Sequence, residues 1–272
     1  MSGLHDIVIM TGNKIRHHYF ALRLLEELSN ASLLIEKQPG ESWGAHAINP
    51  TTLIQRHFEA FHEQEIRSFK KTISANEDFI RSKTLFEVEE GRINDPDVIE
   101  NMKRTKPKVL VVLSTSLLND NFIQSFPGKI INIHAGLSPY YRGSGTNVFP
   151  FYNRELEYVG VTIHYMDVGI DSGDIIIQGR PHFEIDDNSH TIGCKNIVLG
   201  AELMIKTVRF YLKNGPPQGF RQDLKSGRVY YKKDFTDKVV STIQQNLREG
   251  LVESYIKIQP KPVNIVSELR HE

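Results

Sequence analysis

The chain has 272 residues, with 33 basic and 33 acidic side chains and 39% apolar residues. That composition suits a folded domain with an elaboration, and it excludes a disordered, collagenous or disulfide-framework chain. A formal charge of zero leaves no overall electrostatic footprint for phosphate backbones or anionic membranes, which makes nucleic acid and membrane surfaces poor partners.

Met1 to Asp6 lacks the charged-then-apolar build of a leader, and no apolar run approaches membrane-spanning length, so the cytoplasm is the expected compartment. Residues 6–10 (Asp-Ile-Val-Ile-Met), closed by Thr11-Gly12-Asn13, predict a short buried strand ending in a turn. Residues 16–29 carry Phe20, Leu24 and Leu28 at helical spacing, and Ala31 to Ile35 reads as a second strand. From Thr51 to Ile73 the apolar positions predict one long helix, or two with a break. His57, His62, Glu63 and Glu65 lie on it, but the histidines are five apart and not the four that one helical face needs. A solvated face and no metal is the expectation.

Asp95-Pro96 opens a helix to about Arg104, with proline suited to the first turn. Val109 to Leu113 is the clearest buried strand, Asn119 to Ser125 a short helix, and Lys129 to Ile133 another strand. After the glycine- and proline-rich stretch 134–147, Tyr158–Met166 and Asp174–Gln178 predict two strands joined by a tight acidic bend. Thr191 to Leu212 predicts a helix stopped by Asn214-Gly215-Pro216-Pro217. The lone Cys194 on it has no partner for a disulfide and no adjacent base, so it reads as a small buried hydrophobe. The prolines mark a boundary between residues 1–215 and an extension, 216–272, with a short strand at Val229–Tyr231 and helical patterning from Phe235. Strand–helix alternation with β-branched runs predicts an α/β fold, a Rossmann-like, mostly parallel sheet with helices on both faces.

Two segments carry chemistry. Asn132 and His134 are two apart at a strand end and so share a face, at the carboxyl edge where open α/β sheets bind ligands. The second segment, Gly160 to Asp174, sets His164 at a strand end and Asp167, Asp171 and Asp174 on a glycine-rich bend. That bend lacks the alternate ligands and distant glutamate of a calcium loop. Asn132-Ile-His134 followed by Ser138-Pro139-Tyr-Tyr-Arg142-Gly143, then Gly160-Val-Thr162-Ile-His164 and Asp167-Val-Gly169-Ile-Asp171-Ser-Gly173, resembles the formyltransferase family that uses 10-formyltetrahydrofolate. The likeness runs from about Val109 to Gln178, weakens through residue 215, and is only topological in the first hundred residues.

The resemblance implies that residues 1–215 form a catalytic domain and that Asn132, His134 and Asp171 act on a formyl group. It leaves open which of His134 and Asp171 takes the amine proton. His164 would buttress the folate-side loop or Asp171, or serve the fold alone. The folate co-substrate would lie against Leu113, Ser114, Ser116 and Leu117 and the bend Met166, Asp167, Val168, Gly169 and Ile170. The acceptor would be a small-molecule amine, expected to be a nucleotide-linked amino sugar, met by Gly12, Asn13, Lys14 and Arg16 and by Tyr141, Arg142 and Gly143. The Gly227–Thr236 stretch resembles the tails of amino-sugar formyltransferases. Glycinamide ribonucleotide and methionyl-tRNA are alternative acceptors, and a formyl-folate hydrolase or a folate-binding regulatory module are alternative functions. Oligomeric state, a homodimer included, is left open.

Overall fold

In the computed structural model of the protein, residues 5–38, 51–258 and 262–271 are described. Five strands run parallel: β1 (Ile7–Gly12), β2 (Ala31–Lys37), β3 (Thr84–Glu89), β4 (Val109–Leu113) and β5 (Ile130–His134). β7 (Val161–Tyr165) then adds antiparallel to β5, and β8 (Ile175–Gly179) antiparallel to β7, giving the order β3-β2-β1-β4-β5-β7-β8. The numbering leaves room for β6 (Tyr141–Gly143), which lies outside this sheet and pairs in parallel with β9 (Arg228–Tyr230).

Alternation along the central strands explains why the sheet needs cover on both faces. Ile7, Ile9, Val109 and Val111 join one apolar cluster, while Val8, Met10, Leu110 and Val112 join another. The first is covered by α1 (Ile15–Glu27) and α7 (Ser189–Asn214), the second by α4 (Pro96–Thr105) and α5 (Asp120–Ser125). A third cluster gathers the start of α2 (Thr52–Ser74) with α6 (Phe149–Asn153), α8 (Asp237–Arg248) and α9 (Leu251–Lys257). Residues beyond 215 are therefore packed onto the sheet-bearing body through α2, α6 and β6.

Several expectations need correction. Residues 52–74 form one continuous helix, and its charged residues are not all solvated: His57 and Glu65 are buried. The apolar stripe of α2 packs on α1 and α7, and Glu65 enters that contact by pairing with Arg16 at 2.5 Å. The strand expected from Tyr158 starts at Val161, because 156–158 close a 3₁₀ turn with Val159 N–H on Leu156 O. α3 (Glu77–Lys83) and β3 were not expected from the sequence. β3 is a half-exposed edge strand whose Phe86 and Val88 pack on the second cluster. Cys194 is buried and free, and burial pushes its thiol up to about 11. Among the described residues no helix is long and apolar enough to cross a membrane.

Where α2 meets α7, His57 Nδ1 lies 3.3 Å from His190 Nε2, beside Phe58 and Phe235. Burial, then the charge of the neighbouring histidine, lowers His57 to about 3. Burial, then Arg67, lowers His190 to about 4. A histidine whose folded pKa lies below its unfolded value of about 6.5 binds its proton more weakly in the native state, so stability falls as pH drops below that value. Urea unfolding should show His57→Gln losing less stability than the parent between about pH 6 and pH 4, by up to about 1.4 kcal/mol per pH unit. Identical pH dependence in the two proteins would mean that His57 is charged in the fold.

Candidate functional site

The site is built at the carboxyl end of β5. Strand alternation turns Asn132 and His134 to one face, and the pairing of β5 with β7 sets His164 opposite Asn132. The Asn132 amide and His164 Nε2 are 3.0 Å apart. His164 Nδ1 lies 2.8 Å from Tyr165 O, a carbonyl that can only accept, so the ring proton belongs on Nδ1. Nε2 then accepts from the Asn132 Nδ2–H, and the asparagine is held by one of its two amide hydrogens.

His134 is 6% exposed, and both of its ring nitrogens have protein partners. Nε2–H donates to Tyr141 O at 2.9 Å. Nδ1 faces Asp171 Oδ2 at 3.2 Å, and the same oxygen accepts the Gly143 N–H at 2.8 Å. The other carboxylate oxygen, Oδ1, is 3.6 Å from His164 Nε2. One carboxylate therefore bridges the two histidines that face it across β5 and β7.

Burial pushes His134 below its ordinary range, against the upward pull of Asp171. Burial also works to raise Asp171, but His134, His164 and the Gly143 N–H outweigh it and hold the carboxyl well below the usual range. The two shifts draw on each other's charge across a single contact, so the groups titrate as a pair. Each is hard to protonate alone: the imidazole because charge is costly out of water, the carboxyl because its histidine neighbours and the Gly143 N–H favour its charged form. The contact between Nδ1 and Oδ2 is thus open to one proton.

β6 ties this geometry together, since Tyr141 supplies the carbonyl for His134 and Gly143 supplies the amide for Asp171. Gly143 has φ +90°, and a Cβ there would fall 2.2 Å from Tyr230 O. Only glycine lets β6 lie this close to β9. Gly173, just past Asp171, is under the same constraint, with a Cβ 1.8 Å from Tyr165 O.

The profile of the formyl transferase family matches residues 24–208. The chain belongs to that family. Among its relatives, the methionyl-tRNA formyltransferase of Caldanaerobacter subterraneus subsp. tengcongensis is 34% identical over 123 residues, which is 45% of this chain and 39% of that protein. The chain spans between 35% and 54% of the length of such curated relatives. Among solved folds, a sugar N-formyltransferase from Shewanella aligns with a TM-score of 0.58 at 16% identity, over 89% of this chain and 87% of the other. An N-formyltransferase from Helicobacter canadensis, solved with folinic acid and dTDP-3-aminofucose, aligns at 0.54 and 16% identity, over 96% and 84%.

In this formyl transferase family member the residues expected beside a folate fall on two loops. Leu113 is buried at the end of β4, and Ser114 follows with φ +54°, its carbonyl taking Gln38 Nε2 at 3.2 Å. Glu36, buried in β2, accepts the backbone N–H groups of Gly91 (2.9 Å) and Ser116 (2.5 Å) and so pins the loop after β4 to the loop after β3. Leu117 is 85% exposed, with Val168 at 71% and Ile170 at 39%. Asp167 caps its own bend, taking Gly169 N–H and Ser172 O–H, while Met166 packs under the sheet beside Val112.

The residues expected to meet the acceptor divide. Gly12 and Asn13 close β1, with Asn13 bonded reciprocally to Gln38, and Lys14 opens α1. Arg16 is turned inward to Glu65 and lies over Phe61. Arg142 is buried and donates to Ile170 O and Leu224 O, so its guanidinium is committed to main-chain carbonyls. The hydroxyl of Tyr141 donates to Glu155, and burial raises its pKa further beyond the usual range. Gln222 had no sequence signal, because what it contacts is backbone.

Imidazole ¹⁵N shifts provide a direct check on the orientation of Asn132. His164 is expected as the Nδ1–H tautomer. Finding the proton on Nε2 would reverse the amide, turning Asn132 Oδ1 toward His164.

Proposed function

We propose that this protein transfers a formyl group from 10-formyltetrahydrofolate to the primary amine of a small molecule, with Asn132, His134 and Asp171 as its catalytic residues. The observation that carries the reading is the convergence of an amide, an imidazole and a carboxylate from β5 and the 166–174 bend, with Asp171 bound to His134 at 3.2 Å. The folate fits the chemistry of its surroundings: Leu117, Val168 and Ile170 expose apolar side chains on the two loops that would flank it, and a flat bicyclic head would remove that surface from water.

The co-substrate supplies a formyl carbon bonded to nitrogen. The acceptor amine forms a new C–N bond to that carbon, the C–N bond to the folate breaks, and the folate nitrogen leaves with a proton. Asn132 keeps one amide hydrogen for the formyl oxygen while His164 holds the other, so the donor is oriented before charge gathers on that oxygen. The His134–Asp171 pair takes the proton released by the amine and returns it to the departing nitrogen. Asp171 is the more exposed member, at 17% against 6%, and is the entry point to the pair.

For the acceptor we propose an amino sugar carried on a nucleoside diphosphate. The solved sugar N-formyltransferases align along most of both chains, whereas the methionyl-tRNA enzymes match over 35% to 54% of their length. A charge balance of zero adds nothing toward a polyanion. With Arg16 and Arg142 bonded internally, the anion-binding part of the reading moves to the N-terminus of α1. The identity with methionyl-tRNA formyltransferases keeps charged tRNA as the second acceptor to try.

The test is an acceptor screen with 10-formyltetrahydrofolate, reading formylated product by mass. Formyl-sugar product is the expected result. Product from glycinamide ribonucleotide or charged tRNA alone would overturn the acceptor. Formate without product would make the protein a hydrolase, and neither would make it a binder. In the active assay, Asn132→Ala, His134→Ala and Asp171→Asn are each expected to lower kcat by about a hundredfold or more with the fold intact. Asp167→Asn should cost far less, since Asp167 bonds only its own bend. Equal losses at Asp167 and Asp171 would sink the assignment of the carboxylate.

A further inference from the structure

Residues 218–230 lie beyond the stretch matched by the family profile, which ends at 208, yet they grip both members of the His134–Asp171 pair. Gln222 is buried, and its Nε2 donates to Asp171 O at 2.9 Å and to Gly173 O at 2.6 Å. Both partners are carbonyl oxygens, which only accept, so the amide nitrogen is the atom that faces them. One carbonyl belongs to the catalytic Asp171 itself and the other lies two residues on; Asp171 sits at φ +46°, a left-handed conformation that side-chain-bearing residues rarely adopt. Such a conformation persists where surrounding bonds over-determine it.

Other contacts from the same segment reach the second half of the pair. Arg142 spans the bend and the segment, donating to Ile170 O at 3.4 Å and Leu224 O at 3.2 Å. β9 pairs with β6 from Tyr141↔Arg228 to Gly143↔Tyr230, and flanking bonds run from Arg228 N–H to Tyr140 O and from Ser144 N–H to Tyr230 O. Between those bonds lie the Tyr141 carbonyl that accepts from His134 and the Gly143 amide that binds Asp171. The segment is itself fixed to the sheet by reciprocal bonds between Phe220 and Ile175.

We propose that residues 222–230 are a clamp that presets the His134–Asp171 geometry, with Gln222 a positioning residue acting through the backbone of Asp171. The proposal rests on the formyl-transfer reading of the site. The clamp makes the bend a fixed wall of the active site: the carboxylate is held at the imidazole before any substrate arrives, so less of the barrier goes into arranging it.

Gln222→Met keeps the side-chain size and removes both donors. Its kcat is expected to fall by about tenfold or more, while KM for the folate stays within about twofold. The ¹⁵N resonances of the His134 ring should also move in the substrate-free protein. Gln222→Glu adds a second handle: a protonated carboxyl donates one hydrogen bond to these carbonyls and a carboxylate donates none, so its kcat relative to wild type should rise as pH falls. A folded Gln222→Met protein with wild-type kcat and unchanged His134 resonances overturns the clamp. Should that variant fail to fold, a Gln222→Glu ratio that stays flat across pH overturns it instead. If the wild-type protein formylates no amine, the functional reading falls, while the His134 resonances still decide the clamp.

Discussion

A histidine removed from water on both sides of its ring constrains the whole site. Buried polar atoms need partners, and leaving one unmet costs about 1–3 kcal/mol. His134 meets that demand with a backbone carbonyl on one nitrogen and a carboxylate on the other. Neither partner is supplied by β5 itself. The chain must leave β5, run as β6 past the ring, and later return through the 166–174 bend. β6 has three residues and cannot stand alone as a strand, so it depends on β9, and β9 depends on the packing of the C-terminal helices. One buried imidazole thus links residues from 134 to the end of the third apolar cluster.

The same requirement shapes the electrostatics. Water is excluded from His134 and largely from Asp171, so burial works against charge on either group, and the two titrate as a pair. The carboxylate keeps its charge through its histidine neighbours and the Gly143 N–H, while burial keeps the imidazole from charging. A pair poised in this way can receive a proton and give it up again without large rearrangement. On the adjoining loops a different device is used. Glu36, wholly buried, trades its solvation for two backbone N–H bonds, which fixes the loops after β3 and β4 at the carboxyl edge while leaving Leu117 turned outward.

Family membership and local architecture bear on different parts of the chain. The family profile covers the sheet apart from β1, and most of α7, and so takes in Asn132, His134, His164 and Asp171. The residues that hold this constellation from outside, Gln222, Leu224 and β9, come after it. The likeness to solved sugar N-formyltransferases, below one-fifth identity, reaches across both regions as a likeness of fold. The division suggested by Pro216-Pro217 separates segments in sequence that the site draws together in space.

How much could be read from residues alone differs by element. Val109–Leu113 and Ile7–Met10 announced themselves as buried strands because both sheet faces are covered and every position is apolar. The spacing of Asn132 and His134 determined that they share a face, since strand alternation is a local property. β3 escaped notice because an edge strand is half solvated, and β6 because three residues carry no period. Arg16 and Arg142 read as acceptor contacts, and His57 and Glu65 as part of a solvated helix face: sequence shows that a side chain can carry charge, but burial depends on which helix or loop packs over it. The contact of Asp171 with His134, the grip of Gln222 on the bend, and the commitment of Arg142 to two carbonyls were decided only by tertiary structure. Each joins segments 28 to 82 residues apart, and at that range local pattern carries no information about which backbone group will meet which side chain.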